Sequence, residues 1–215
     1  MNTGKIYLIR HGQTDGNGSR YIGWEDLPLN VTGLQQAAAI THVLLEESIQ
    51  AIYTSALSRA VATGRPLAEQ KKLHWQTTPL LNEIDYGEYQ GRYKSEFQLK
   101  LRKDYRTQKL PSGESLHDVF LRVRKFVDVI SPLLASEANL AIVAHYWSIR
   151  MLLGILQNKS FDDLFSSGGY KPANGSVYQF CYRNDKQGTL TGISERYLER
   201  QSDPEINFPP EKVLA

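Results

Sequence analysis

The chain has 215 residues, with 25 Lys and Arg against 23 Asp and Glu, a formal charge of +2 and a single cysteine. That length suits one domain with a sizeable core. Near-neutral charge without a dense basic block gives no ground for nucleic-acid binding, and one cysteine excludes an intrachain disulfide and a Cys-based metal cluster.

Ile6-Tyr7-Leu8-Ile9 is β-branched, aromatic and apolar, and predicts a buried strand over about Lys5 to Arg10. The chain enters this strand with no charged-then-apolar signal segment, and no apolar run approaches the ~20 residues that span a bilayer. A cytoplasmic protein without membrane attachment is expected. The strand runs out in Arg10-His11-Gly12, a fixed cation, an imidazole and a flexible residue. An imidazole beside an arginine suits attack on an anion such as a phosphate, although the same tripeptide can simply cap a strand.

A loop with Gly12, Gly16, Gly18, Gly23 and Pro28 follows. Thr32 is the expected N-cap of a helix running to about Glu47, with Leu34, Ala37, Ala38, Val43 and Leu44 as its apolar face. Ala51 to Thr54 reads as a short buried strand. Leu57 to about Gln70 reads as a helix in which Gly64 and Pro66 predict a kink or an early stop. His74 to Thr77 is a strand candidate and Asn82 to Gly91 a loop. Tyr93 to about Arg106 is amphipathic and predicts a further helix.

The clearest helical pattern covers Ser115 to about Ser136, where Leu116, Val119, Phe120, Val123, Phe126, Val127 and Ile130 recur at helical spacing. Asn139 to Ala144 is a continuous apolar strand that again ends in a histidine, His145. Ser148 to Leu156 reads as a helix, Val177 to Tyr182 as a strand with Cys181 in the core, and 189–198 as a last strand. The Pro-rich tail, 203–215, reads as irregular. Strands alternating with helices predict a single domain over 1–215, a three-layer α/β/α sandwich with a mostly parallel central sheet. Ligands of such folds sit outside the carboxyl ends of the strands, where Arg10-His11, Thr54-Ser55 and His145 converge.

Six blocks follow in order. They are Arg10-His11-Gly12-Gln13-Thr14 with Asn17; Asp26-Leu27-Pro28-Leu29 with Thr32-Gly33 and Gln35-Gln36-Ala37; Tyr53-Thr54-Ser55-Ala56-Leu57-Ser58-Arg59-Ala60 with Thr63; Leu81-Asn82-Glu83 through Gly91; Pro111-Ser112-Gly113-Glu114-Ser115; and Val143-Ala144-His145. Together they resemble the histidine phosphatase superfamily, also called the phosphoglycerate mutase-like family. The resemblance implies a phosphoglycerate mutase-like sandwich with residues about 86–110 as a variable cap. It implies His11 as nucleophile, Arg10 and Arg59 as phosphate ligands, His145 as the second histidine and Glu83 in the acid/base loop. It departs at His145-Tyr146-Trp147-Ser148-Ile149-Arg150, where relatives usually have His-Gly-Gly or His-Gly-Asn-Ser-Leu-Arg. Glycine there lets the backbone approach a phosphate closely. Tyr146 either fills part of the mouth or displaces that backbone.

The chemistry is coherent on its own terms. The oxygens of a phosphate monoester repel nucleophiles, and arginine neutralises them with planar, bidentate hydrogen bonds while staying ionised. A neutral His11 can attack phosphorus and form a phosphohistidine, with a backbone carbonyl such as that of Gly12 fixing its tautomer. His145 and Asn17 can donate to the oxygens, and Asn17 can alternatively cap the loop. Glu83 is the expected acid and base, with Glu88 and Asp85 as alternatives. Asn17, Gly12, Gly23, Tyr86 and Tyr146 are the expected substrate contacts, and Tyr89, Tyr93, Tyr105 and Trp24 can line the pocket or simply pack. His42, His74 and His117 lie off this set.

The expected activity is therefore metal-independent, cofactor-free hydrolysis of a phosphorylated small molecule by a monomer or homodimer. The alternative is a cofactor-dependent phosphoglycerate mutase. Such mutases usually carry a longer insertion with added arginines, whereas Arg92 to Arg106 is compact and Asp85 is acidic where mutase-like relatives tend to be basic. A third reading is a degenerate member that binds a phospho-ligand or a protein partner without turnover.

Overall fold

The computed structural model describes residues 3–165, 171–184 and 190–199. Strands β1 (Gly4–Arg10), β2 (Ala51–Ser55), β3 (Trp75–Thr78), β4 (Leu140–Ala144), β5 (Val177–Asn184) and β6 (Leu190–Glu199) form one sheet in the order β3-β2-β4-β1-β5-β6. The first four of that order are mutually parallel; β5 runs antiparallel to both β1 and β6. Helices α1 (Val31–Leu44) and α2 (Ser58–Lys71) pack against each other, as do α3 (Leu116–Ala135) and α4 (Tyr146–Leu156). The expected α/β sandwich is the observed fold.

The period-two alternation of β1 builds its two cores. Ile6 and Leu8 join the α3 and α4 side with Val123, Phe126 and Ile149, whereas Tyr7 and Ile9 join the α1 and α2 side with Ile40 and Leu67. All five residues of β4 are buried, as a central parallel strand covered on both faces requires.

Several boundaries differ from expectation. Asn30, not Thr32, caps α1, its Oδ1 accepting from Gly33 N at 2.9 Å. Helix α2 does not stop at Gly64 or Pro66 but continues to Lys71. Gly64 serves close packing instead: a Cβ there would lie 3.0 Å from Thr54 Cγ2 and Val143 Cγ2. Ser115 caps α3 through a capping box with Asp118. Cys181 is only partly buried.

The expected helix over Tyr93–Arg106 is absent. Several of its backbone groups go to tertiary partners, and its local bonds form only isolated turns. Tyr21 Oη donates to Phe97 O and accepts from Leu99 N, while Tyr105 O and Arg106 O accept from Leu116 N and His117 N. The four-residue spacing of Tyr93, Phe97, Leu101 and Tyr105 mimics a helical stripe, but Phe97, Leu101 and Tyr105 pack a loop onto the core and Tyr93 is exposed. No helix among the described residues is long and apolar enough to cross a membrane. The tail, 203–215, lies outside the described residues.

Candidate active site

The parallel strands β1, β2 and β4 end at one edge of the sheet and deliver His11, the start of α2 and His145 to the same place. His11 and His145 are 3% and 0% exposed, with ring centroids 4.8 Å apart and planes tilted by 54°. His11 N donates to Ala144 O, so the two strand ends are tied by the backbone itself.

His11 Nδ1 lies 2.7 Å from Gly12 O. A carbonyl can only accept, so this contact places the proton on Nδ1 and leaves Nε2 with its lone pair. Burial, then Arg59 and Arg10, hold the His11 pKa well below the ordinary imidazole value against the pull of the Gly12 bond. His145 is depressed likewise by burial, then by Arg59, His11, Arg10 and Arg122. Neither ring nitrogen of His145 has a hydrogen-bond partner among the described residues. A fully buried imidazole with both nitrogens bare is costly unless it meets a ligand.

Arg59 is 1% exposed and is aimed by two carbonyls, Glu25 O at 2.7 Å and Gly23 O at 2.6 Å. Each terminal nitrogen retains a second N–H for a ligand. Burial lowers the Arg59 pKa to about 10, against the attraction of Glu83, so it remains a cation at neutral pH. Arg10 donates through Nη1 to Pro172 O at 2.8 Å, with its guanidinium 5.6 Å from the Tyr146 ring centroid. Tyr146 is also 5.5 Å from Arg150 and packs edge-on to Trp147. The guanidinium groups of Arg150 and Arg102 lie 5.4 and 5.8 Å from the Trp147 ring centroid.

The Glu83 carboxylate accepts from Ile84 N at 3.0 Å and from Trp147 N, in the first turn of α4, at 3.1 Å. Burial raises its pKa, against the Ile84 N–H, Arg10, the Trp147 N–H and Arg59. Of the alternatives, Glu88 is exposed and Asp85 Oδ1 accepts from Gly87 N within a turn. Glu83 is the carboxylate that faces the arginines. Tyr86 is buried beside it, its pKa raised by burial and by Glu83. The backbone N–H that follows Tyr146, that of Trp147, is engaged by Glu83.

Two expected substrate contacts, Gly12 and Gly23, have polar groups engaged by the protein itself. Gly12 spends its N–H on Thr63 Oγ1 at 3.0 Å and its carbonyl on His11, so both its polar groups address the protein. Gly23 offers its carbonyl to Arg59, and at φ +52° a Cβ would lie 2.8 Å from Ile84 O. Asn17 Oδ1 accepts from Thr14 N and Thr14 Oγ1 at 2.7 and 3.0 Å, which turns its amide N–H groups away from the loop.

Sequence reasoning overlooked Asn174. Its Nδ2 donates to His11 O at 3.0 Å and lies 3.3 Å from Asn17 Oδ1, joining the loop before β5 to the histidine loop. It lies outside every block quoted above, and only topology brings it there. His42 and His74 are exposed, and His117 stacks on Phe120, so none joins the site. Among the described residues no group of three or more His, Cys, Asp or Glu is placed to hold a metal ion.

Paired buried imidazoles and two arginines at the carboxyl edge of a largely parallel sheet define an anion-receiving centre of the two-histidine class. The chain belongs to the histidine phosphatase superfamily (branch 1), whose family model matches residues 6–193. It is 34% identical over 195 residues to a 2,3-bisphosphoglycerate-dependent phosphoglycerate mutase of Bartonella henselae, covering 84% of this chain and 93% of the relative. A Chlamydia trachomatis protein of the same description is 34% identical over 199 residues, with 75% and 87% covered. Among solved structures, a mycobacterial glucosyl-3-phosphoglycerate phosphatase superposes with TM-score 0.76 at 27% identity, covering 91% of this chain and 97% of that one. The Shigella flexneri alpha-ribazole phosphatase, at 23% identity and TM-score 0.73 over 87% and 94%, shares the fold.

Proposed function

We propose that the protein hydrolyses a small-molecule phosphate monoester through a phosphohistidine on His11. Arg10, Arg59, Asn17 and His145 receive the phosphoryl oxygens. The Nε2 lone pair of His11 attacks phosphorus as the ester P–O bond breaks, and Glu83 gives its proton to the leaving oxygen. Water then loses a proton to Glu83 and attacks phosphorus, the N–P bond breaks, and neutral His11 and protonated Glu83 are restored. Arginine and histidine donors supply the charge stabilisation, so the scheme calls on no metal or cofactor.

The observation that carries this reading is the His11 Nδ1 contact with Gly12 O, which frees Nε2 beside an unsatisfied His145. The raised Glu83 pKa supports an acid that still holds its proton when the ester binds. The structural relative described as a glucosyl-3-phosphoglycerate phosphatase supports a phosphorylated small molecule as substrate. On this reading the protein acts in the cytoplasm as a monomer or homodimer. Tyr86 and Tyr146 shape the pocket wall on this reading. The test is hydrolysis of p-nitrophenyl phosphate by wild type and His11→Ala. Equal, slow rates would contradict it.

The mutase alternative is favoured by the Bartonella and Chlamydia relatives and by Arg102 and Arg150 beside Trp147, cations suited to a second acidic group on the substrate. Bisphosphate-primed transfer between the 2- and 3-positions of phosphoglycerate would select it. The intact His11, Arg59 and Glu83 contacts weigh against a binder without turnover.

A further inference from the structure

Arg122 of α3 and Glu114, just before that helix, form a bidentate ion pair of 2.8 and 3.1 Å with side chains only 12% and 17% exposed. The pair is far from isolated. Arg122 Nη1 donates to Leu80 O at 2.9 Å and Nη2 to Glu83 O at 2.8 Å. Glu114 Oε2 accepts from Asp85 N at 3.0 Å, and Glu114 N donates back to Asp85 O. Three main-chain points, at residues 80, 83 and 85, are thus gripped by one charge-neutral unit.

The rest of the segment is fixed from the opposite side. Leu81 and Ile84 are fully buried, and Asn82 Oδ1 accepts from Ser55 Oγ and Ala56 N. The segment following the 3-10 turn at Pro79–Leu81 has no helix or strand of its own to hold it. A carboxyl in such a stretch is placed only as well as its backbone is placed. With the Glu83 carbonyl drawn back to Arg122 and Trp24 Nε1, the carboxylate is directed to Trp147 N, two residues after His145.

We propose that the Arg122–Glu114 pair is the positioning device of Glu83, holding its carboxyl where it can deliver a proton to the leaving oxygen. The proposal rests on the reading of Glu83 as general acid. Neither Arg122 nor Glu114 touches substrate in this account. Each acts through the backbone of residues 80–85, and each needs the other, because a buried charge stripped of its partner cannot hold the same place.

Leaving-group dependence tests it. An ester with a strongly acidic leaving group, 2,4-dinitrophenyl phosphate, needs little protonation at the oxygen, whereas an alkyl phosphate needs it fully. General acid help is worth ~10²–10⁴-fold. Arg122→Lys and Glu114→Gln should therefore lower kcat/KM on an alkyl phosphate by about tenfold or more, and on the dinitrophenyl ester by less than about threefold. Glu83→Gln should show the same pattern more strongly. Glu114→Gln keeps an acceptor for Asp85 N and serves if Arg122→Lys does not fold. Equal losses on both esters would mean only general disruption of the fold, and unchanged rates would mean that the clamp is irrelevant. Either overturns the proposal while Glu83→Gln still shows the dependence. If Glu83→Gln itself shows none, the acid assignment fails and the positioning role with it.

Discussion

The ring of His145 rests 4.8 Å from that of His11, and both are buried as neutral imidazoles next to two arginines. Burying them with lowered pKa values has a thermodynamic consequence. An unfolded histidine titrates near 6.5, so below that pH the unfolded chain binds protons that the folded site rejects. Stability contributed by this pair is complete above about pH 6.5 and is lost as pH falls through the folded values. Glu83 acts with the opposite sign, since its raised pKa favours the folded state as pH falls. The difference between wild type and His145→Gln isolates the histidine contribution. Denaturation midpoints should fall more steeply for wild type than for His145→Gln from pH 7 to 5, and parallel curves would contradict the burial argument.

Inorganic phosphate should stabilise the protein, because it offers an acceptor to the bare ring of His145 and negative charge opposite Arg10 and Arg59. At 100 times its dissociation constant the gain is about 2.7 kcal/mol. For a chain of this size that corresponds to a rise in Tm of roughly 5–10 °C. Arg59→Met should abolish the rise. A phosphate-independent Tm in wild type would count against an anion site.

The pH dependence of kcat/KM on an aryl phosphate should be bell-shaped. Its acid side includes the requirement for neutral His11, whose pKa is lowered by burial. Its alkaline side reports loss of the Glu83 proton, whose pKa is raised by burial. Glu83→Gln cannot lose that proton, so its slower reaction should keep the acid limb and lose the alkaline one. An unchanged alkaline limb in that variant would assign the limb to another group.

Asn174→Ala removes the donor that joins His11 O to Asn17 Oδ1. Loss of one buried partner costs about 1–3 kcal/mol. Steady-state kinetics should show a raised KM as Asn17 loses its orientation, and Asn17→Ala in the Asn174→Ala background should add little. Additive losses would show that the two amides act independently.

Gly12 and Gly33 meet at backbone distance: a Cβ on Gly12 would lie 2.5 Å from Gly33 O, and one on Gly33 only 2.2 Å from Gln13 O. Gly33→Ala should cost about 1–3 kcal/mol by overpacking and should shift the histidine loop. Thermal melts and kcat/KM should fall together, and a neutral substitution would refute the close approach.

Much of this site could be read from the sequence because its parts lie at strand ends, where apolar runs stop abruptly. Arg10, His11 and His145 follow continuous buried strands, and Arg59 opens a helix behind another. Over 93–106, tertiary bonds from Tyr21 and the start of α3 outcompete the local helical spacing of the apolar residues. Asn174 and Arg122 carry no local signal at all. One sits on an irregular loop and the other on a helix with an ordinary amphipathic pattern, and each acquires its partners only through contacts distant in sequence. The protein bonds of Gly12 and Gly23 carry no sequence signal either, since no pattern reveals which way a carbonyl points.

The central claim is that His11 becomes phosphorylated. Rapid mixing with an aryl phosphate, quenching in alkali, where an N–P bond survives, and peptide mass spectrometry test it directly. The account predicts an acid-labile phosphoryl group on the peptide containing His11, absent from His11→Ala and longer-lived in Glu83→Gln. Substrate turnover with no phosphorylated enzyme at any quench time, or a phosphoryl group on another residue, would contradict it.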